Sequence, residues 1–117
     1  MLVLLAGKNL RQYINKMITK DTKLIIPTLR CNNNCLFCST SSSDGVFTPL
    51  KILKRKVIIA KNDGKDSITL FGGEPTIHPD FLKLVKFIGD EKLNLRLDSN
   101  LRLLSYKKFA KTILKYC

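Results

Sequence analysis

"SITLFGGEPTIHPDFLKLVKFIG", residues 67–89, is the stretch on which the fold turns. Ser67 to Phe71 is an apolar run of strand length, Gly72 and Gly73 break it, and beyond Pro79 the residues Phe81, Leu82, Leu84, Val85 and Ile88 recur at helical spacing to about Gly89. Asp80 stands near the positive end of that predicted helix dipole. A strand passing through a glycine turn into a helix is one half of a crossover unit, and the same pattern lies on either side.

Upstream, Leu24 to Thr28 (LIIPT) reads as a buried parallel strand. Thr48 and Pro49 read as the N-cap and first residue of a helix reaching about Lys61, with Leu50, Ile52, Leu53 and Val57 on its apolar face and Asn62, Asp63 and Gly64 ending it. Downstream, Asn94 to Asp98 (NLRLD) reads as a third strand, and Ser105 as the cap of a last helix through Tyr116. Residues 1–22 are assigned to a leading helix, on the amphipathic stretch KNLRQYINKMITK, and residues 23–117 to the domain that carries the strands. The order βαβαβα predicts an α/β fold with right-handed crossovers and a parallel sheet covered by helices.

In such folds chemistry gathers in the loops beyond the carboxyl ends of the strands. Those loops hold Cys31, Cys35 and Cys38 after the first strand, Gly72, Gly73, Glu74, Pro75 and Thr76 after the second, and Ser99 and Asn100 after the third. Three separate segments are thus expected to meet on one rim.

Composition narrows the classes. With 117 residues, 44% of them hydrophobic, the chain suits one domain with a modest core and is no disordered segment. The opening MLVLLAG is apolar for seven residues and has no basic region before it, so neither a signal peptide nor a membrane span is expected. The expected location is cytoplasmic, with no membrane partner; in a reducing compartment clustered cysteines are metal ligands or catalytic groups more often than disulfides. The net charge of +12 invites a nucleic-acid partner. Its sixteen lysines and five arginines, however, are spread over the helical stretches without interleaved aromatics, which favours a solvated surface.

The thiols sit in "RCNNNCLFCSTS", residues 30–41. A structural zinc site takes four ligands, usually as two cysteine pairs, whereas this loop has one CxxxCxxC, with His78 and the terminal Cys117 as candidates for a fourth. A redox dithiol through Cys35 and Cys38 leaves Cys31 unexplained. Three thiolates suit a cubane iron–sulfur cluster in which one iron has no protein ligand and stays open to a small molecule.

CxxxCxFC after a first strand, with GGEP after the second, resembles the radical S-adenosylmethionine (radical SAM) superfamily. "LFGGEPTIHPDF", residues 70–81, is similar to the subgroup of molybdenum-cofactor, nitrogenase-cofactor and peptide-maturing enzymes. The resemblance implies that Cys31, Cys35 and Cys38 bind a 4Fe-4S cluster, that its open iron chelates S-adenosylmethionine, and that Phe37 lies close to the adenine. It further implies reductive cleavage to methionine and a 5'-deoxyadenosyl radical, which takes a hydrogen from a substrate. A low-potential flavodoxin or ferredoxin is the implied electron donor, and a peptide or protein the favoured substrate.

The residues agree chemically with that assignment. Gly72 and Gly73 allow close approach of a ligand to the main chain, and Glu74 can accept hydrogen bonds from the ligand's ammonium. Ser99 and Asn100 resemble the family's third-strand TNG segment, with Leu101 in place of the glycine. His78 is either a ligand contact or a turn residue. The family core is a partial (β/α) barrel of about six strand–helix units, of which three are counted here, so the chain is expected to be the N-terminal half of such a core. From a different class, the alternative is a non-catalytic binding module stabilised by zinc or a cluster, with a basic surface contacting nucleic acid.

Overall fold

The computed structural model describes residues 2–4, 22–32 and 45–116. Strands β1 (Leu2–Leu4), β2 (Thr22–Ile25), β3 (Ser67–Leu70) and β4 (Asn94–Ser99) form one sheet in the order β1-β4-β3-β2. β2, β3 and β4 are parallel, with Ile25 beside Leu70 and Leu70 beside Leu97. Helices α1 (Leu50–Asn62), α2 (Phe81–Asp90) and α3 (Lys107–Tyr116) follow β2, β3 and β4 in turn. The chain is therefore α/β, three strand–helix units of a partial barrel.

Burial explains the arrangement. β3 sits between two parallel neighbours and all four of its residues are buried, whereas β4 alternates, with Leu95, Leu97 and Ser99 buried and Asn94, Arg96 and Asp98 half-buried. Ile25, Ile68, Leu70, Leu95 and Leu97 pack with Leu53 and Val57 of α1, Phe81, Leu84, Val85 and Ile88 of α2, and Ile113 of α3. Each such fully buried aliphatic or aromatic side chain contributes about 1.5–3 kcal/mol. The Phe81 and Phe109 rings stack at 5.9 Å and tie α3 to α2.

Several boundaries differ from those read in the sequence. The first strand covers 22–25 rather than 24–28, because Pro27 offers no N–H to continue the ladder. Thr28 instead makes an isolated antiparallel bridge to Phe47. Leu24 is 59% exposed on β2, an outermost strand among the described residues. Helix α1 begins at Leu50 with Pro49 as its cap: the Pro49 carbonyl accepts from Ile52 N and Leu53 N at 3.0 and 3.1 Å, whereas the Thr48 carbonyl is taken by His78. Ser105 does not cap α3; it closes a 3-10 turn, Arg102–Ser105, by donating from Oγ to the Arg102 carbonyl at 2.8 Å.

The leading helix assigned to 1–22 is corrected at its start. Leu2–Leu4 is a strand, antiparallel to β4 with Leu2 beside Ser99 and Leu4 beside Leu97. Its backbone pairs with groups on the β4 edge that would otherwise face solvent. Residues 5–21 lie outside the described residues.

Candidate functional site

The carboxyl ends of β2, β3 and β4 come together through backbone hydrogen bonds. Phe71 N donates to the Ile25 carbonyl at 3.2 Å, Gly73 N to Thr28 O at 3.1 Å, and Glu74 N to Arg30 O at 2.8 Å. The glycine turn is thereby zipped onto the segment that leads into the cysteines. A Cβ on Gly73 would stand 2.1 Å from Arg30 O and 2.3 Å from Leu29 O, and Gly72 holds φ +129 with Thr28 O at 2.6 Å from its absent Cβ. The glycines are demanded by chain-to-chain contact, a reason the sequence pattern alone does not separate from contact with a ligand.

The return of the cysteine loop is fixed on the other side of the same segment. Thr28 Oγ1 donates to Val46 O at 3.0 Å, the Arg30 guanidinium lies 5.1 Å from the Phe47 ring centroid, and a Cβ on Gly45 would meet Arg30 N at 2.9 Å. His78 belongs to this base. It is buried, its Nδ1 accepts from Asp80 N at 3.0 Å, and its Nε2 therefore carries the proton and donates to Thr48 O at 2.7 Å. With both nitrogens engaged, His78 is a turn residue and supplies no fourth metal ligand.

Glu74 is the hub of the rim. Its side chain is fully buried, Oε1 accepts from Thr76 Oγ1 at 2.5 Å, Ser99 Oγ at 2.7 Å and Thr76 N at 3.3 Å, and Oε2 accepts from Asn100 N at 2.7 Å. A carboxylate at the turn after β3 thus fixes the turn after β4. Burial of an acceptor this polar is tolerated because donors surround it. Oε2 has one partner among the described residues, leaving one of its two acceptor directions.

The β4 turn then reaches back to the cysteines. Ser99 Oγ accepts from Leu101 N at 2.9 Å and Asn100 Oδ1 from Arg102 N at 3.1 Å, two local turns that hold Leu101 at φ 63, ψ 5. Asn100 Nδ2 donates to Asn32 Oδ1 at 2.7 Å and to Cys31 Sγ at 3.9 Å, and the Arg102 guanidinium donates to the Asn32 carbonyl. Cys31 places a half-buried sulfur at the mouth of this rim. Nothing in the residue pattern singles out Asn32 or Arg102: the first is one of three consecutive asparagines, and a lone arginine after a strand carries no motif.

Cys31, Gly72, Gly73, Glu74, Ser99 and Asn100 are therefore neighbours, drawn from three loops. Cys35, Phe37, Cys38 and Cys117 lie outside the described residues. Among the described residues no three His, Cys, Asp or Glu side chains gather to hold a metal ion, and no helix is long and apolar enough to cross a membrane.

The sequence model of the radical SAM superfamily matches residues 25–117. The chain belongs to that superfamily. Enzymes of the radical SAM superfamily use a 4Fe-4S cluster and S-adenosylmethionine. An S-adenosylmethionine-dependent nucleotide dehydratase of Siniperca chuatsi is 39% identical over 75 residues, covering 62% of this chain and 20% of the relative. A putative glycyl-radical enzyme activating enzyme of Methanocaldococcus jannaschii is 31% identical over 91 residues, 71% of this chain and 33% of the relative. A probable GTP 3',8-cyclase of Thermococcus kodakarensis is 35% identical over 77 residues, 62% and 25% respectively. The chain thus spans between a fifth and a third of the length of these relatives. No solved structure matches it.

The residues present fit the family's cofactors. Cys31 offers a soft thiol donor at the carboxyl ends of the strands, next to an amide N–H donor suited to a thiolate. Glu74, fully buried, has one further acceptor direction on Oε2 among the described residues, the kind of group that an ammonium recognises.

Proposed function

We propose that this chain is the cluster-bearing N-terminal half of a radical SAM core, in which Cys31, Cys35 and Cys38 ligate the 4Fe-4S cluster. The observation that carries this reading is the position of Cys31, the first thiol of CxxxCxxC, against the GGEP and Ser99–Asn100 turns. When bound, the cluster supplies the electron that cleaves S-adenosylmethionine to methionine and a 5'-deoxyadenosyl radical.

The chain's own residues bind and orient. Gly72 and Gly73 press the β3 turn against the base of the cysteine loop, so that both present their main chain to one ligand. Glu74 accepts from the ligand's ammonium on Oε2, Ser99 and Asn100 line the carboxylate side, and Phe37 lies against the adenine. The bonds that pin Thr28, Thr48 and Asn32 shape the rim before the ligand arrives, which lowers the ordering cost of binding.

The electron donor in this reading is a low-potential flavodoxin or ferredoxin, the location is cytoplasmic, and the substrate is a peptide or protein. Two features support a protein substrate: the similarity of GGEPTIHPDF to peptide-maturing enzymes, and a relative named as activating a glycyl-radical enzyme. The names of the other two relatives favour a nucleotide as the second reading.

Cysteine replacement tests the assignment. Cys31→Ala, Cys35→Ala and Cys38→Ala, each reconstituted with iron and sulfide under anaerobic conditions, are expected to lose most of the iron that the unaltered chain takes up, while Cys117→Ala keeps it. Iron and acid-labile sulfide per chain are the readout. Equal iron in the first three variants, or a single tightly held zinc in the unaltered chain, contradicts it.

A further inference from the structure

We propose that Asn100 is a positioning residue for the Cys31 thiolate, and that its side-chain N–H sets the reduction potential of the cluster this cysteine holds. The inference rests on the cluster reading above and goes beyond it, because it gives Asn100 a role toward the metal centre in addition to any contact with S-adenosylmethionine.

The orientation of the Asn100 amide follows from its neighbours. Its Oδ1 accepts from Arg102 N at 3.1 Å, and the Asn32 Oδ1 facing its other end, 2.7 Å from Nδ2, is itself an acceptor. A flipped amide would set oxygen against oxygen and leave the Arg102 N–H facing an NH2 group. The NH2 group therefore points to the cysteine loop, donating to Asn32 Oδ1 at 2.7 Å and, over a longer 3.9 Å, to Cys31 Sγ. Asn100 does not choose this pose alone. Its backbone N–H is held by the buried Glu74 carboxylate at 2.7 Å, and Asn32 is held by the Arg102 guanidinium.

An N–H directed at a ligating sulfur stabilises added negative charge on that sulfur. Reduction of a thiolate-ligated cluster adds one negative charge, so the donor favours the reduced state and raises the potential. Removing it lowers the potential and makes the cluster harder to reduce by a given donor.

The test is an anaerobic potentiometric titration of the reconstituted chain, followed by electron paramagnetic resonance without S-adenosylmethionine, on the unaltered chain, Asn100→Leu and Asn100→Ser. Leucine is near the size of asparagine and removes both donors; serine keeps a hydroxyl that can accept from Arg102 N and holds the turn. At the midpoint potential of the unaltered chain, the reduced-to-oxidised ratio in Asn100→Leu is expected to fall about tenfold, a shift of about 59 mV for one electron, with iron content unchanged. Asn100→Ser should fall between the two.

A midpoint in Asn100→Leu equal to that of the unaltered chain, with full iron, overturns the inference and leaves the cluster reading standing. Should Asn100→Leu fail to hold iron, Asn100→Ser decides, and an unshifted midpoint there overturns it as well. Absence of any cluster from the unaltered chain overturns both readings.

Discussion

Glu74 shows how one side chain can join separate loops. Three of its donors, Thr76 Oγ1, Ser99 Oγ and Asn100 N, lie within 2.7 Å of its oxygens, and the side chain is buried. Glu74→Ala removes the acceptor and strands those donors, each costing about 1–3 kcal/mol when buried unsatisfied. We expect a loss of at least about 3 kcal/mol in urea unfolding, a large share of a domain's usual margin. A loss below about 1 kcal/mol would show that the rim is held elsewhere. Leu101 makes the complementary point, because it occupies the left-handed region at φ 63, at the position where the TNG segment it resembles has glycine. The leucine keeps the backbone turn that the motif needs, at a cost of about 1 kcal/mol. Leu101→Gly is expected to be neutral or stabilising by about 1 kcal/mol, and Leu101→Val destabilising by at least as much, since β-branched side chains tolerate positive φ poorly. A clear loss with glycine would mean that leucine packing outweighs backbone strain.

At the scale of elements, the turn after β3 and the segment after β2 act as one unit. Gly73→Ala would drive a Cβ to within 2.1 Å of Arg30 O, a backbone atom that cannot rotate aside, and would strain the bond from Glu74 N to that oxygen. A destabilisation of about 3 kcal/mol is expected from chemical denaturation, at the upper end for overpacking. A value under 1 kcal/mol would place the two segments further apart than described. Which of these features was legible beforehand follows from the range of the interactions. The three parallel strands, their helices and the rim are visible in periodicity and turn residues, because those signals are local. The motif residues Cys31, Gly72, Gly73, Glu74, Ser99 and Asn100 stand out by residue type. Strand β1 could not be read, since three apolar residues pair with an edge more than ninety positions away and leave no period behind. Nor could the links from Asn32 to Asn100 and from Arg102 to Asn32, 68 and 70 residues apart, which depend on tertiary placement alone.

For the whole molecule, the two edges of the sheet are treated differently. β1 covers the edge of β4, and among the described residues no strand pairs with the outer edge of β2, which lies beside a hollow of about 320 Å³ lined by Lys23, Leu24, Ile25, Ile26, Lys56 and Ile59. Lysines at such an edge discourage strand-to-strand association, so part of the +12 charge serves solubility. The ion pairs Lys61–Glu91, Lys83–Asp80 and Lys86–Asp90 all involve exposed lysines and add little to stability. The fold thus rests on its apolar core and the buried polar rim. In the reading proposed above, this rim holds a cluster with an iron open to S-adenosylmethionine. Electron paramagnetic resonance of the anaerobically reconstituted, reduced chain, with and without S-adenosylmethionine, measures it directly. A four-iron signal that changes when S-adenosylmethionine is added is the expected result; a four-iron signal indifferent to it, or no cluster at all, would overturn that reading.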